Sequence, residues 1–391
     1  PAGAERPRVQ TPGPGPPDAA RSRPADAAGT GGPGRYEQAA AQFRAALASC
    51  ERTFGSDDPR TIAVERRLAG NTMWSDPDGG LVLVRSALDH AERALGDDDR
   101  ETVLARGCLA SALQNLGRLP EAEATAREAL ADWIRVAGDP SLEAAQASIA
   151  LSGILWSEGA FAEAETLLRA GLPVVREQLG GGIVHTLPWE MPLVQLLRRA
   201  SRPGEAAAEM RRLFDAASTA LGEENSHVLK LEATLARTLF EAGTELEEAE
   251  RLARDAARGL ATQLGPGDLN SVIAADTLHG VIRARGRAGE AAALATELLR
   301  DVRERGISEA QALALLHQTL GECELDMGEL DSAASELNEA WGIAEEGAVY
   351  VSDPHHPRRI ALLEALARAE DARGHPAEAS AWRARLPRGE R

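Results

Sequence analysis

The sequence contains very few aromatic residues. Only 3% of its 391 residues are Phe, Trp or Tyr, whereas 43% are hydrophobic, so Leu and Ala must supply most of any core. Small aliphatic side chains favour helix formation and allow helices to approach one another closely. This composition is typical of an all-α protein and argues against a β-rich catalytic domain.

Basic residues are also scarce. Lys and Arg number 43 against 61 Asp and Glu, which gives a formal net charge of −18. Because binding to DNA or to an anionic membrane depends on clustered cations, this balance argues against nucleic-acid and membrane partners. Lys230 is the single lysine, and the arginine bias is typical of high-GC coding sequences. It predicts a bacterial source.

Long apolar runs and paired cysteines are missing too. No apolar run approaches the roughly 20 residues that a membrane-spanning helix needs. No signal-peptide pattern opens the sequence, so a cytoplasmic location is expected. Cys50, Cys108 and Cys323 are odd in number and far apart, which predicts small buried residues rather than a disulfide framework or a zinc site.

Catalytic and cofactor-binding motifs are absent. The sequence contains no Gly-x-Ser-x-Gly, no His-Glu-x-x-His and no kinase signature. Its glycine runs, such as residues 180–182, lack the preceding strand and the Gly-Lys-Ser/Thr of a phosphate loop. The pair His355-His356 with Asp353 would need further ligands from elsewhere to hold a metal. We therefore predict no catalytic residues, no cofactor and no metal site.

The sequence does contain a glycine that returns about every 42 residues. The fullest copy runs from Gly117 to Ala122, and the same offsets begin again at Gly159, Gly286, Gly328 and Gly374. A second glycine series keeps the same period. Its members are Gly55, Gly96, Gly138, Gly180, Gly222, Gly265, Gly306 and Gly347.

Two glycines in each period indicate two helices in each period. Apolar residues between them fall at helical spacing, and a glycine suits the left-handed position at a helix C-terminus. The dipeptides Asp58-Pro59, Asp139-Pro140 and Asp353-Pro354 suit helix starts. One helical hairpin cannot bury its own apolar face, so neighbouring hairpins must stack into an all-α solenoid.

One segment of the pattern, from Leu109 to Glu123, resembles a tetratricopeptide repeat. The residues that carry the match are Leu109, Ala110, Leu113, Gly117, Leu119, Ala122 and Ala129. The series returns at Leu151, Ser152, Leu155, Gly159, Phe161 and Ala164, and at Leu320, Gly321, Gly328, Leu330, Ala333 and Ala340. The longer period and the turn from Phe54 to Thr61 are similar to the kinesin light chain subtype. His356-Pro357 falls where that subtype carries His-Pro, which implies a helix start.

The resemblance implies a right-handed superhelix of antiparallel hairpins whose first helices line a concave groove. In that geometry, groove residues lie two before, two after and five after a marker leucine, here Leu109, Leu151, Leu193, Leu235 and Leu278. The resulting groove candidates are Ser111, Gln114, Trp156, Gln195, Arg198, Arg237, Phe240 and Arg283, with Lys230 at the rim. They suit an extended peptide that carries acidic and large apolar residues. The alternative is that they are ordinary solvated helix positions.

The repeats occupy residues 35–391, as a half repeat followed by about eight hairpins. Residues 1–34 are rich in Pro, Gly and Ala, which predicts a disordered linker. Because the array starts in the middle of a repeat, we expect the chain to be part of a longer protein. Pro188 and Pro192 lie close to one predicted helix start, which should be kinked or delayed.

The expected function is that of a protein interaction scaffold without catalysis, which binds an extended partner segment in its groove. A second interpretation makes the chain the sensory or docking region of a bacterial signalling protein, such as a serine/threonine kinase or a nucleotide-driven transcriptional regulator. An enzyme in its own right is the third interpretation. Pairing of exposed end repeats would give a homo-oligomer.

Overall fold

The computed structural model describes residues 33–180, 182–347, 349 and 356–387, and in these ranges it contains seventeen α-helices and no strand. The first seven are α1 (Pro33–Phe54), α2 (Pro59–Thr72), α3 (Pro77–Leu95), α4 (Arg100–Asn115), α5 (Leu119–Ala137), α6 (Leu142–Ser157) and α7 (Phe161–Leu179). The next five are α8 (Ile183–Arg199), α9 (Pro203–Leu221), α10 (Ser226–Ala242), α11 (Leu246–Leu264) and α12 (Leu269–Ala284). The last five are α13 (Ala288–Glu304), α14 (Ala310–Met327), α15 (Leu330–Glu346), α16 (Pro357–Ala372) and α17 (Pro376–Arg383). The all-α prediction is confirmed.

The helices follow one another as successive hairpins. By their order along the chain, the helices after α1 form eight pairs, from α2 with α3 to α16 with α17. The two helices pack against each other in seven of these pairs, from α2 with α3 to α6 with α7 and from α10 with α11 to α16 with α17. The first helices of consecutive pairs also pack side by side, as α2 does on α4 and α10 on α12. The predicted linker up to residue 32 and the predicted helix start at Asp353-Pro354 lie outside the described residues.

The chain divides into two compact units within α8. Unit 1 ends at Gly180 and also includes Pro188–Pro192. Unit 2 includes the start of α8 up to Leu187 and continues from Leu193. In each unit the hairpins stack as a helical solenoid.

One alanine of the repeat marks where the two helices of a hairpin meet. It lies in the first turn of the second helix, where a larger side chain would force the helices apart. These alanines are Ala122, Ala164, Ala206, Ala249, Ala291, Ala333 and Ala379, and each is 0% exposed. The glycine-to-alanine frame of the sequence therefore places a small residue at every hairpin contact.

The turn glycines adopt the predicted backbone conformation. Gly243 and Gly328 end α10 and α14 with φ of 65° and 80°, in the left-handed region that glycine tolerates best. Where the series lacks its glycine, Ser201 takes the same conformation with φ of 57°. The turn at Ser201 thus keeps the geometry of the glycine turns although its residue type has changed.

Two predicted helix starts are confirmed and one is wrong. The Asp58 carboxylate accepts a hydrogen bond from the Arg60 backbone N–H, and α2 begins at Pro59. His356 likewise caps α16, since its Nδ1 accepts from the Arg358 N–H at 3.2 Å. At Asp139-Pro140, however, no helix starts. Ser141 is the N-cap, because its hydroxyl accepts from the Ala144 N–H, and α6 begins at Leu142.

The start of α8 is not delayed, so that part of the prediction is wrong, and a kink there stays a prediction. The helix begins at Ile183 and runs through Pro188 and Pro192 to Arg199. Because proline has no backbone N–H, α8 lacks two of the hydrogen bonds that a helix of this length would otherwise form.

No helix in the described part of the chain is long and apolar enough to cross a membrane. All three cysteines are free thiols; Cys50 and Cys323 are buried, and Cys108 is half-buried.

Candidate functional site

The first helices of the hairpins form a continuous face in each unit, which we call the first-helix face. In unit 1 it carries an open groove on α2, α4 and α6, with a volume of about 360 Å³, which we call the unit 1 groove. Small residues form its floor. They include Gly70, Gly107, Ser111, Ala147 and Ala150.

The unit 1 groove is open because its floor lacks side chains. A Cβ atom added to Gly70 or Gly107 would meet no heavy atom within 4 Å. Trp74 lies at one end, 60% exposed, with its ring stacked on Tyr36 at a centroid distance of 5.8 Å. A large exposed aromatic ring beside an open apolar groove is typical of a protein-binding surface.

A charged pair borders the unit 1 groove. The Arg100 guanidinium donates to Glu143 at 2.8 Å, which links α4 to α6, and lies 5.6 Å from the centroid of the buried Trp133 ring. All three residues line the groove. The groove is thus apolar along its floor and polar at one edge.

In unit 2 the first-helix face is rich in charged residues. A cleft of about 490 Å³ lies on α10, α12, α14 and α16, and we call it the unit 2 cleft. Its charged lining residues are the cations Arg237, Arg283 and Arg358 and the acids Glu241, Asp276, Glu322 and Asp326.

Asp276 is the hub of the unit 2 cleft. Its carboxylate lies 3.3 Å from Arg237 Nη2 and 3.5 Å from Arg358 Nη1, and it accepts a hydrogen bond from Thr319 Oγ1 at 2.9 Å. Two guanidinium groups therefore share one carboxylate. Burial lowers the pKa of Arg237 although Asp276 opposes the shift, and the neighbouring cation Arg358, which shares that carboxylate, lowers it further.

Two of the other predicted cations, Arg283 and Arg198, are engaged more tightly. Arg283 Nε donates to Asp326 at 2.8 Å and its Nη1 contacts Glu322, both on the next first helix. Arg198 Nε donates to Glu241 at 2.7 Å across the same interval. Their charges are therefore neutralised within the fold.

One polar atom of the unit 2 cleft has no partner. Gln318 is 6% exposed, and its Nε2 donates to Glu322 at 3.0 Å. Its Oε1 is buried and accepts no hydrogen bond from any described residue.

The structure divides the predicted groove residues between the two units. In unit 1, Ser111 lines the groove, whereas Gln114 donates to the Gly153 carbonyl at 3.0 Å and Trp156 is half-buried outside it. In unit 2, three candidates line the cleft and three do not. Those in the cleft are Arg237, Phe240 and Arg283, and those outside it are Gln195, Arg198 and Lys230.

Sequence reasoning missed several lining residues that the same offsets could have found. Gly107 and Asp276 lie two residues before the marker leucines Leu109 and Leu278. Gln318 and Glu322 flank Leu320, to which the rule was not applied. Arg358 lies in the first turn of α16 and at none of these offsets from a marker leucine, so no such signal pointed to it.

Known proteins resemble this chain in sequence and in fold. Residues 101–177 match a model described as tetratricopeptide repeat, and residues 34–60 match a second model of the same description. Within these two segments the chain matches tetratricopeptide repeats. The first match spans α4 to α7 and includes the fullest copy of the glycine pattern, so the resemblance inferred from the sequence is confirmed there.

Two solved structures, those of RapI and NprR, share this fold. The apo form of RapI is 10% identical, with a TM-score of 0.64, and the alignment covers 90% of this chain and 91% of that one. The apo quorum sensor NprR from B. thuringiensis is 11% identical, with a TM-score of 0.56 and coverage of 88% and 96%. TPR-like repeats of a Podosopora anserina kinesin light chain are 18% identical, with a TM-score of 0.48 and coverage of 53% and 98%. No curated protein matches the sequence.

Proposed function

We propose that this repeat protein is an interaction scaffold that binds a segment of a partner protein on its first-helix faces, without catalysis of its own. The observation that supports this most strongly is the unit 1 groove. It is open above Gly70 and Gly107, apolar along its floor, and bordered by the exposed ring of Trp74. Helical repeats commonly use such a surface to bind other proteins.

The unit 1 groove favours large apolar side chains of the partner. Its floor offers no charged group, and its volume of about 360 Å³ is suited to one or two such side chains. The Trp74 ring provides a flat surface on which an aromatic or aliphatic side chain can pack. A partner segment thus gains affinity by burying apolar area there.

The unit 2 cleft favours an acidic group. Arg237 and Arg358 share Asp276 at 3.3 and 3.5 Å, so both can donate further hydrogen bonds to a partner carboxylate. Arg283 contributes less, because two acids already neutralise it. We propose that Arg237 and Arg358 are the two arginines that bind the acidic group of the partner.

Selection from a library of random 12-residue peptides displayed on phage tests the proposal with the purified chain. We expect enriched peptides to carry large apolar residues where they bind the unit 1 groove and Asp or Glu where they bind the unit 2 cleft. Gly107→Trp should fill the unit 1 groove and weaken their binding at least about tenfold, which corresponds to ~1.4 kcal/mol.

Val82→Trp is the matched control, because Val82 lies on α3, is 68% exposed and does not line the groove. Its binding should equal that of the wild type. A second arm, Arg237→Gln with Arg358→Gln, should remove the preference for acidic peptides. Enriched peptides that bind Gly107→Trp as tightly as the wild type would refute the groove as the binding surface.

A further inference from the structure

Unit 2 contains a second cavity, between α9, α10 and α11. It has a volume of about 650 Å³ and shares no lining residue with the unit 2 cleft. Part of its wall is apolar and consists of Phe214, Leu229, Leu252 and Gly259. Its charged lining residues are the acids Glu223, Glu224, Glu232 and Asp255 and the cations Arg251 and Arg258. Acids therefore outnumber cations in this cavity.

The Glu232 side chain lines this cavity without a partner. Glu232 is 8% exposed, and its carboxyl makes no hydrogen bond or ion pair with any described residue. Burial raises the pKa of this carboxyl to about 7, with Asp255 and Glu223 adding to the shift and Arg251 opposing it. Arg251 instead lies 3.6 Å from Asp255, and 61% of its side chain is exposed. Leaving a carboxyl unpaired in a protein interior is unfavourable, so its position calls for an explanation.

The equivalent charged residues of other hairpins do have a partner. Glu232 lies eleven residues before Gly243, and the same position before the other turns holds Arg106, Glu190 and His317. Each of these contacts the residue fourteen positions earlier, on the preceding second helix. The pairs are Arg106 with Glu92 at 2.7 Å, Glu190 with Arg176 at 3.0 Å and His317 with Arg303 at 2.9 Å. The remaining hairpins have uncharged residues at this position, namely Val64, Ser148, Ala275 and Leu363.

For Glu232 the internal partner is missing. The residue fourteen positions earlier is Ser218 on α9, whose hydroxyl is buried and makes no hydrogen bond with any described residue. A serine has neither the length nor the charge of Arg176, which donates to Glu190 from the same position of its hairpin. The α9–α10 contact therefore keeps the carboxyl but lacks the guanidinium group that pairs with it elsewhere.

We propose that this cavity binds a guanidinium group, supplied by an arginine side chain of a partner protein, which pairs with the Glu232 carboxylate in place of the missing internal arginine. A planar guanidinium group matches the two oxygens of a carboxylate. The apolar part of the wall suits the methylene groups of the same side chain. The inference rests on the proposed scaffold function and adds a contact outside the unit 1 groove and the unit 2 cleft.

Two matched probes test this site with the full chain. N-acetyl-arginine amide carries a guanidinium group, and N-acetyl-citrulline amide replaces it with a neutral urea group of the same shape. In isothermal titration calorimetry at pH 8, we expect the arginine probe to bind at least about tenfold more tightly. Because only the ionised Glu232 carboxyl attracts the cation, the affinity of this probe should fall about tenfold between pH 8 and pH 6.

Three variants separate this contact from a general attraction of cations to an acidic protein. Glu232→Gln removes the carboxylate but keeps its shape, so the tenfold preference should fall to about one. Glu128→Gln removes the same charge from an exposed position on α5 and should leave the preference unchanged. Ser218→Arg places an arginine at the position of Arg176 in its hairpin, so it should pair with Glu232 and abolish the preference.

The source of the guanidinium group is tested with the tripeptide Ac-Gly-Arg-Gly-NH2. An arginine within a partner chain has a peptide bond on each side, so the tripeptide should bind at least as tightly as N-acetyl-arginine amide. Weaker binding of the tripeptide would show that the cavity excludes an arginine within a chain, and would overturn the proposal.

Two further results would also overturn it. One is equal binding of the arginine and citrulline probes by the wild type at pH 8, which is the result expected if water alone hydrates Glu232. The other is a preference for the arginine probe that survives in Glu232→Gln or in Ser218→Arg. Because the cavity shares no residue with the unit 1 groove, failure here is distinguishable from failure of peptide binding in that groove.

Discussion

At the scale of single residues, packing between the two helices of a hairpin depends on the combined volume of the side chains that face each other. At Gly321 on α14, an added Cβ would lie 2.8 Å from Leu337 Cγ on α15. Because protein interiors are packed to crystal-like density, a larger residue at position 321 has no space unless residue 337 also becomes smaller. Enlarging residue 321 alone should therefore be destabilising.

Gly321→Ala tests this pairing. The new Cβ would lie 2.8 Å from Leu337 Cγ and 3.1 Å from the Ala333 carbonyl oxygen, so α14 and α15 must separate. We expect a loss of about 1–3 kcal/mol in the free energy of unfolding, measured by urea denaturation. Gly342→Ala is the matched control, because its Cβ would meet nothing within 4 Å. That helical substitution should stabilise by about 0.5–1 kcal/mol, and equal effects of the two would contradict the pairing.

Glu232 makes stability depend on pH. Burial raises the pKa of its carboxyl from 4.5 to about 7, with Asp255 and Glu223 adding to the shift and Arg251 opposing it. Between these two pH values the folded state holds a proton that the unfolded state has released, so stability falls as pH rises through that window. Above about pH 7 the loss is complete and constant.

Glu232→Gln should remove this dependence. The variant should match the wild type near pH 4.5 and exceed it by about 2 kcal/mol at pH 8 in the free energy of unfolding. Glu128→Gln is the control, since Glu128 is exposed and makes no ion pair with a described residue. A wild-type chain whose stability relative to Glu232→Gln does not change between pH 4.5 and 8 would disprove the shift.

At the scale of helices, hydrogen-bonded pairs join equivalent helices of successive hairpins. On first helices, Arg283 of α12 contacts Glu322 and Asp326 of α14. On second helices, Arg127 of α5 donates to Glu163 of α7 at 2.7 Å. Such pairs span about one repeat period. They add an electrostatic contribution to the free energy that holds neighbouring hairpins together, besides their apolar contact.

A double-mutant cycle on Arg283 and Glu322 measures this electrostatic contribution. Their side chains are only 16% and 20% exposed, so we expect a coupling free energy of about 1–2 kcal/mol in urea unfolding of the Ala variants. The control cycle uses Arg251 and Asp255 on α11, 3.6 Å apart and 61% and 45% exposed. Its coupling should stay below about 0.5 kcal/mol. Comparable couplings in the two cycles would show that burial does not strengthen the pair.

At the scale of the whole molecule, periodicity made the helical hairpins predictable, because each turn glycine and each buried alanine recurs at a fixed offset. The offsets from the marker leucines predicted Arg237, Phe240 and Arg283, which line the unit 2 cleft, but also Gln195, Arg198 and Lys230, which do not. Whether those arginine side chains are neutralised by an acid was not predictable. Whether an arginine is neutralised depends on the acid one period later, as Glu322 and Asp326 show for Arg283. The unit 1 groove was missed because it consists of absent side chains, such as those of Gly70 and Gly107.

The division of the chain into two units has a consequence for unfolding. In repeat proteins, cooperativity passes from one hairpin to the next and weakens where a unit is poorly formed. The division falls in α8, where Pro188 and Pro192 remove two backbone hydrogen bonds. We therefore expect each unit to unfold with its own midpoint.

Tryptophan fluorescence can report each unit separately. Trp74, Trp133, Trp156 and Trp189 belong to unit 1, and Trp341 and Trp382 to unit 2. Leu337 is 0% exposed beside Trp341 in the last core cluster, so Leu337→Ala should destabilise unit 2 by about 2–5 kcal/mol. In urea, the transition seen by Trp341 and Trp382 should move to lower concentration while that of unit 1 stays in place. Leu113→Ala, in the core of unit 1, should do the reverse. If either substitution moves both transitions together, the proline-containing α8 transmits cooperativity, and the two units unfold as one.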